Sequence, residues 1–221
     1  MTIKNVYLVG HGNQALNALD LISSIPKLNF CGFIEIFDNS INYYSTDHIV
    51  TKNINFNDYI TDNNFFCLAI GFNYTRHKIF NFLSINYPKI KWTSIISNTA
   101  VIKSNVLIGK GTIIHDNVFI NRGTKIGNNC LINSNCSIDH DCTINDSTSI
   151  ASGVVTGGNV NIGSLSHIGI SSVILQNIFI GNGTVVGAQS LVNSVCDNNS
   201  LYYGSPIKFI KKIPNDFNYL K

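Results

Sequence analysis

The sequence predicts an α/β domain of the Rossmann-like type followed by a parallel β-helix of hexapeptide repeats. Two observations support this fold class. Strand-like and helix-like apolar segments alternate over the first 95 residues, and an aliphatic residue recurs every six positions from Ile102 to Val192. We place the domains at residues 1–95 and 96–205, and we expect the tail at 206–221 to cover one end of the solenoid.

The composition limits the function classes. A chain of 221 residues is long enough for two domains that each bury a core. The formal charge of +3 is too small and too dispersed for nucleic-acid binding, so we expect no nucleic-acid partner. The segment MTIKNVYLVG lacks signal-peptide features, and the chain has no uninterrupted apolar run of about 18 residues. We therefore expect a soluble, cytoplasmic protein with no membrane partner.

The first domain opens with KNVYLVGHGNQALNALDLI, which predicts a strand, a glycine turn and an amphipathic helix. FCGFIE and FFCLAIGFN predict further strands, and TRHKIFNFLSI predicts a second helix. A parallel sheet places a ligand crevice at the carboxyl ends of its strands, where we expect Gly10, His11 and Gly12. Glu35 and Asp38 could contact a ribose there, although acidic residues at a strand end are more often only solvated. GHGNQA has two of the three fingerprint glycines, which disfavours a nicotinamide-dependent enzyme.

The second domain has a period of six, which fits neither a helix nor one long strand. It is typical of a solenoid with one short strand and one corner in each hexad. Thr156 alone interrupts the aliphatic series. Cys130, Cys136 and Cys142 occupy the small interior position of the repeat, and their spacing lacks the paired pattern of a zinc site. We expect them to pack inside the coil and expect no metal.

Three hexads in each turn would stack residues that are 18 apart and give about five turns. His140 then lies in an outward column with Arg122 below it and Gly158 above it. A glycine stacked on a histidine leaves an open notch and an accessible backbone N–H beside the imidazole. His115 and His167 lack such a setting, and we expect both at the surface. A neighbouring column of mostly small residues suits an extended ligand: Ser134, Ser152, Ile170 and Ala188.

Four segments together, GHGNQA, LAIGFNYTR, NSNCSIDHDCTI and YYGSPIK, resemble a known family. They are similar to the bacterial left-handed β-helix acetyltransferases of nucleotide-linked 4-amino sugars, which are related to the sialic acid O-acetyltransferases. The resemblance spans nearly the full chain and implies the left-handed sense of the coil. It implies an acetyl-CoA-dependent N-acetyltransferase of a 4-amino-4,6-dideoxy sugar for surface glycan synthesis. It also implies a homotrimer with acetyl-CoA between adjacent coils.

The resemblance also implies roles for individual residues. By motif the general base is His140, followed by Asp141, and Asn133 belongs to the same site. The backbone N–H of Gly158 would meet the thioester carbonyl of the coenzyme. Ile170 and Ala188 would lie along its pantetheine arm. The nucleotide-linked sugar would meet the first domain at Gly10, His11, Gly12, Glu35 and Arg76.

Two departures from the family leave the nucleotide base open between uridine, thymidine and guanosine. Asn13–Gln14 replaces the family's glycine–histidine pair, and Ile36 replaces the second of two acidic residues. We expect direct attack on the thioester, since no serine or cysteine is evidently activated. The trimer rests on the resemblance alone, because the outer wall is rich in asparagine and no apolar stripe is evident in the sequence.

Alternative readings stay open at this point. A hexapeptide O-acetyltransferase could act on a sugar hydroxyl, such as one of sialic acid. A non-catalytic solenoid would show a ladder of one outward residue type, whereas the columns here are mixed. Without the family motif, a histidine between two aspartates is more often a solvated corner than a catalyst. Lys208, Lys211 and Lys212 could meet the coenzyme phosphates, but a run of charge is usually a solvated face.

Overall fold

The computed structural model describes residues 3–37, 40–44, 52–53 and 55–220, so Asp38 lies outside the described residues. The first domain contains a mixed five-stranded sheet, helices α1 (Asn13–Ser24) and α2 (Asn73–Asn86), and a 3₁₀ turn at Phe56–Tyr59. The strands are β1 (Lys4–Val9), β2 (Leu28–Phe37), β3 (Ser40–Tyr44), β4 (Lys52–Asn53) and β5 (Asn64–Leu68). Their order is β4-β3-β2-β1-β5. β1 is parallel to β2 and β5, whereas β3 and β4 pair antiparallel at one edge.

The two faces of this sheet have different partners, as the alternation of side chains along a strand requires. Val6 and Leu8 of β1 pack with α1 and with outward residues of the β-helix. Val9, the residue after Leu8 in the same strand, points to the opposite face of the sheet and packs with Leu83 of α2. One face of the first domain is therefore buried against the second domain.

The second domain is a β-helix with three faces of two-residue strands. Face 1 consists of Ile95–Ile96, Ile113–Ile114, Leu131–Ile132, Ser149–Ile150, His167–Ile168 and Val185–Val186. Face 2 consists of Val101–Ile102, Phe119–Ile120, Ser137–Ile138, Val155–Thr156, Val173–Ile174 and Leu191–Val192. Face 3 consists of Leu107–Ile108, Lys125–Ile126, Thr143–Ile144, Asn161–Ile162 and Phe179–Ile180. We call the four residues between faces 1 and 2 corner 1–2, and those between faces 2 and 3 corner 2–3.

The stacking follows the predicted interval of 18 residues. Phe119 pairs with Val101 on one side and with Ser137 on the other. The second residue of each strand points inward, as shown by the complete burial of Ile120, Ile138 and Ile174. The coil has about six turns, one more than predicted. The first strand, Ile95–Ile96, lies one hexad, or a third of a turn, before the first strand that we counted.

A hairpin closes the far end of the coil. Its strands are Ser200–Tyr203, which continues face 1 in parallel, and Lys208–Lys212, which pairs with it antiparallel. Tyr202 and Ile207 join the end of the interior core. No helix in the described part of the chain is long and apolar enough to cross a membrane.

Candidate active site

His140 lies on corner 2–3, where its imidazole is held by the residue that follows it. Its Nδ1 is 2.9 Å from a carboxylate oxygen of Asp141. Asp141 has a left-handed backbone conformation with φ of 56°, which aspartate tolerates better than most residues. Gly123, one turn below, leaves the space that the Asp141 carboxylate occupies, since a Cβ at Gly123 would collide with it. The pair therefore depends on a corner glycine in the previous turn.

A second set of hydrogen bonds holds the backbone at His140. The N–H of His140 donates to Asp139 Oδ1 at 2.7 Å, and Asn121 Nδ2 donates to the same oxygen at 2.8 Å. These two donors hold the pKa of Asp139 below its usual value. Thr156, the residue that interrupts the aliphatic series, accepts the Asp139 N–H at 3.1 Å. The sequence pattern marks Thr156 only as an irregular residue, and this function of its hydroxyl becomes apparent in the structure.

Gly158 stacks on His140 as the 18-residue column predicted. A Cβ at Gly158 would lie 2.6 Å from His140 Nε2, so any side chain there would displace the imidazole. Within the described residues, the Gly158 N–H has no hydrogen-bond acceptor. Six backbone N–H groups at the same position of the repeat donate to Asn or Asp side chains instead: those of Lys110, Arg122, Asn128, His140, Ser164 and Asn182. The notch beside His140 thus contains a donor available to a ligand.

Asn133, Ile170 and Ala188 lie on corner 1–2 and line one groove of about 460 Å³. The Ile170 side chain is 57 % exposed and gives the groove an apolar wall. The Asn133 amide donates to Ile150 O in the next turn at 3.2 Å. This groove and the His140 notch flank opposite edges of face 2. The structure of one chain therefore separates the predicted site residues of the coil into two groups.

The expectation that His115 and His167 are surface residues is wrong for His115, whereas His167 is half-buried at the edge of the groove. His115 is 7 % exposed and lies 3.1 Å from Gln14 Nε2 through its own Nε2, at the contact between the domains. Burial lowers the pKa of His115. The His167 ring is stacked beneath Tyr219 with centroids 4.0 Å apart, and burial lowers its pKa to about 4. Both residues are covered by chain segments that are distant in sequence, which the repeat pattern could not indicate.

The predicted crevice of the first domain is present as a pocket of about 380 Å³. Gly10, His11, Gly12 and Glu35 line it, together with residues at the start of α2. His11 Nδ1 lies 3.3 Å from Glu35 Oε1 across the pocket. Gly10 has φ of 109°, a conformation that a residue with a Cβ would strain, so this turn requires glycine. The pocket can accept a ligand at the carboxyl ends of β1 and β2.

Arg76 does not have the predicted position in this pocket. The side chain is 2 % exposed, because it is enclosed between the two domains. Its guanidinium donates to Asn129 O at 3.0 Å and Ser147 O at 3.1 Å in the coil. It also donates to Ile70 O at 2.9 Å in its own domain. We therefore correct the assignment of Arg76 from substrate binding to the joining of the domains.

Face 2 has an apolar outer surface, contrary to our reading of the outer wall. The first residue of each strand points outward, and Val101, Val155 and Val173 are 47 %, 42 % and 41 % exposed. The rest of this ladder is Phe119, Ser137 and Leu191. The asparagines are at the corners, so the apolar stripe becomes apparent only when every third strand is grouped. We call these six residues the face 2 ladder.

The cysteines have no catalytic setting. All six are free thiols. Burial raises the pKa of Cys130 to about 12 and that of Cys136 to about 11. Cys142, which lies close to the candidate base in sequence, is fully buried and its pKa is raised as well. A thiol that stays protonated inside the coil is a poor nucleophile.

Two family models match the chain. Residues 5–83 match the PglD N-terminal domain, and residues 123–158 match the bacterial transferase hexapeptide (six repeats). Among curated proteins, a putative acetyltransferase of Schizosaccharomyces pombe is 38% identical over 65 residues, 29% of this chain and 31% of that protein. A putative acetyltransferase of Staphylococcus aureus is 39% identical over 59 residues, 27% of this chain and 30% of that protein. The chain thus spans about a third of the length of these curated relatives.

Solved structures of similar fold cover nearly the whole chain. A GDP-perosamine N-acetyl transferase from Caulobacter crescentus, in complex with CoA and GDP-perosamine, matches with a TM-score of 0.82 at 20% identity, covering 96% of this chain and 99% of that one. The acetyltransferase domain of PglB from Neisseria gonorrhoeae, in complex with acetyl coenzyme A, matches at 0.81 and 19%, covering 94% and 100%. WeeI from Acinetobacter baumannii matches at 0.77 and 22%, covering 95% and 100%.

These likenesses confirm the predicted fold class, an α/β domain followed by a left-handed parallel β-helix. The family models match different parts of the chain, one in each domain, and both parts have the structure that those models describe. The chain therefore has the fold of the left-handed β-helix transferases, with a match to the PglD N-terminal domain in front of the coil and a match to the hexapeptide transferase model within it.

Proposed function

We propose that this protein is an acetyl-CoA-dependent N-acetyltransferase that acts on the 4-amino group of a nucleotide-linked 4-amino-4,6-dideoxy sugar. One observation carries the proposal: the His140–Asp141 pair lies directly under the Gly158 notch, whose N–H has no acceptor within the described residues. A base and an oxyanion donor side by side suit acyl transfer to an amine. The similar structures support the same reaction, since one is a GDP-perosamine N-acetyl transferase in complex with CoA and GDP-perosamine and another is an acetyltransferase domain in complex with acetyl coenzyme A.

His140 and Asp141 would manage the proton. With Nδ1 donating to Asp141, the lone pair of His140 Nε2 faces the notch and can accept a proton from the amine as its nitrogen bonds to the thioester carbon. The carbonyl oxygen gains the negative charge and accepts the Gly158 N–H. Collapse of this intermediate breaks the carbon–sulfur bond, and the imidazolium returns the proton to the departing thiolate. No acyl-enzyme is required, which agrees with the buried, protonated cysteines.

The sugar nucleotide would bind in the first domain, in the pocket lined by Gly10, His11, Gly12 and Glu35. Gly12 has open space where a Cβ would be, so its backbone is accessible to a ligand. The Glu35 carboxylate at the end of β2 is placed to accept hydrogen bonds from a ribose. The coenzyme would follow the corner 1–2 groove past Ile170 and Ala188, where the apolar surface suits the pantetheine chain.

The complete site would form between two chains of a homotrimer. Face 2 separates the His140 notch from the groove of the same chain, and the face 2 ladder is an apolar surface that a second copy can cover. Packing this face of one coil beside corner 1–2 of another would bring the notch of one chain to the groove of its neighbour. The sugar would then reach from the first domain of one chain toward His140 of the next.

The remaining parts of the proposal concern cellular context. Six free thiols in a described structure without disulfides fit a reducing compartment, so we place the enzyme in the cytoplasm. Its acetylated product would be a precursor of bacterial surface glycan. The exocyclic amine of the substrate must be supplied by an aminating enzyme, and the acetylated nucleotide sugar would be consumed by a glycosyl transfer.

The test is the release of free thiol from acetyl-CoA with UDP-, dTDP- and GDP-linked 4-amino sugars. We expect release with one nucleotide series and a loss of about 10²- to 10⁴-fold in kcat in His140→Ala, the range for removal of a general base. Lys110→Ala is the matched control, because Lys110 is an exposed residue at the same repeat position on the remote corner.

The outcomes separate the alternatives. Thiol release with a sialic acid but with no amino sugar would replace the proposal with an O-acetyltransferase. Full activity of folded His140→Ala on an amino sugar would retain the reaction and remove His140 as its base. No release with any acceptor would contradict the acetyltransferase itself.

A further inference from the structure

The residues after the end hairpin do not stay on the cap of the coil. Ile213 is 5 % exposed and its N–H donates to Asn199 O, which fixes the end of the hairpin. The following segment, 214–220, then passes beside face 1 and reaches the start of α2 in the first domain. Phe217 N–H donates to Pro214 O within it. This segment, which we call the strap, therefore connects the end of the coil with the junction of the two domains.

Tyr219 attaches the strap at that junction. Its ring stacks on His167 with centroids 4.0 Å apart and planes 19° from parallel. The hydroxyl oxygen accepts the N–H of Asn73, the first residue of α2, at 3.1 Å. Phe72 packs on the other side, with ring centroids 5.5 Å apart. Contacts to the coil and to the first domain thus hold one residue of an otherwise exposed segment.

The next residue, Leu220, lies in the groove itself. Its side chain lines the groove together with Ile170 and Ala188, and it is 60 % exposed. It also approaches the nucleotide pocket, since Leu220 Cδ1 is 3.9 Å from where a Cβ of Gly71 would be, and Gly71 lines that pocket. Leu220 and Ile170 line the same groove and are both exposed, so together they offer apolar surface that a ligand can cover.

We propose that the strap forms a wall of the coenzyme groove, with Tyr219 as its anchor and Leu220 as a binding residue for the pantetheine chain of acyl-coenzyme A. This inference rests on the function proposed above. The chain of methylenes and amides would lie between Leu220 and Ile170, and would bury the two side chains that are exposed without it. Asn73 and Tyr219 would keep Leu220 over the groove rather than in solvent.

Two variants of the intact chain test the wall and its anchor separately. Leu220→Asp places a carboxylate against the pantetheine chain without disturbing a buried contact, and it should weaken coenzyme A binding about tenfold. Tyr219→Ala releases the strap and should have a similar effect, whereas Tyr219→Phe keeps the stacking and should weaken binding only about two- to threefold. Phe82→Ala, an exposed aromatic on α2, is the control and should bind as the wild type does.

The dissociation constant of coenzyme A would be measured by calorimetry, with thermal unfolding recorded for every variant. Because Tyr219 also packs the domains together, a loss of stability in Tyr219→Ala is possible, and Leu220→Asp keeps the test valid in that case. Unchanged or tighter binding in folded Leu220→Asp would overturn the strap as a wall while leaving the proposed function intact. Failure of the wild-type protein to bind coenzyme A would overturn the proposed function and the strap together.

Discussion

The two edges of face 2 have the same repeat pattern and opposite chemistry. Corner 2–3 presents His140 and Asp141 beside an open glycine, whereas corner 1–2 presents Ile170 and Ala188 along a groove. One edge can move a proton and stabilise an oxyanion, and the other can hold an extended apolar chain. A single coil cannot bring the two edges together, because its interior is filled. If both edges serve the proposed reaction, two coils must therefore contribute to one site.

The largest effect is expected from mixing two inactive variants, which tests whether the two edges belong to one site. His140→Ala removes the base, and Ala188→Trp fills the groove on the other edge of face 2. If every site combines two chains, random co-assembly of equal amounts leaves one interface in four intact and should restore up to about a quarter of the wild-type rate.

The mixture would be unfolded and refolded together, and thiol release would be compared with that of each variant alone. Mixtures of each variant with itself provide the background. Absence of recovery in a mixture that has formed mixed oligomers, identified by a mass tag on one variant, would mean that the site lies within one chain.

A smaller effect tests the polar edge itself. Gly158→Ala adds a methyl group whose carbon would lie 2.6 Å from His140 Nε2. The imidazole must therefore move away from the reacting nitrogen. We expect kcat to fall about 10²-fold with little change in the KM for acetyl-CoA, because a displaced base loses its geometry without affecting the groove. Steady-state kinetics measures this. Ser164→Ala, at the same repeat position on the third corner, should be unaffected.

A charged substitution tests whether the apolar surface of face 2 contacts a second coil. Val155→Lys introduces a cation into the middle of the face 2 ladder, where a second coil would have to desolvate it. If the protein is the trimer that we propose, the mass measured by light scattering should fall from that of a trimer to that of a monomer, with an unchanged circular dichroism spectrum. Leu107→Lys on face 3, where the leucine is 61 % exposed, should remain trimeric. A trimeric Val155→Lys would exclude face 2 as the contact.

The smallest effect concerns His167, which lies under the anchor of the strap. Its pKa is about 4 in the folded protein against about 6.5 in an unfolded chain. Between these values only the unfolded chain binds the extra proton, so the free energy of unfolding decreases as the pH falls from about 6.5 toward 4. His167→Gln should reduce the difference in Tm between about pH 8 and pH 5 by about 4–8 °C.

The same measurement distinguishes His167 from its neighbours. The pKa values of His115 and His77 are also lowered by burial, so part of the pH dependence should persist in the variant. An unchanged pH dependence of Tm in His167→Gln would mean that the ring is accessible to solvent in the folded protein.

The sequence predicts contacts that repeat along the chain better than contacts between segments that are distant in sequence. A regular solenoid has the same contacts in every turn, so the 18-residue column of His140 and Gly158 could be predicted by counting. The apolar ladder followed the same rule and was missed because its residues were not grouped by face. Arg76 and His115 follow no rule of this kind, since their burial depends on how the first domain docks on face 1.

The sequence by itself determined the two domains, the hexapeptide coil, the glycine notch over His140 and the interior position of the cysteines. These are local or periodic features, and each follows from spacing along the chain. Only the tertiary structure decided that Arg76 joins the domains and that Tyr219 covers His167. The physical reason is that such contacts join residues tens of positions apart without any repeat, so their geometry arises from packing alone.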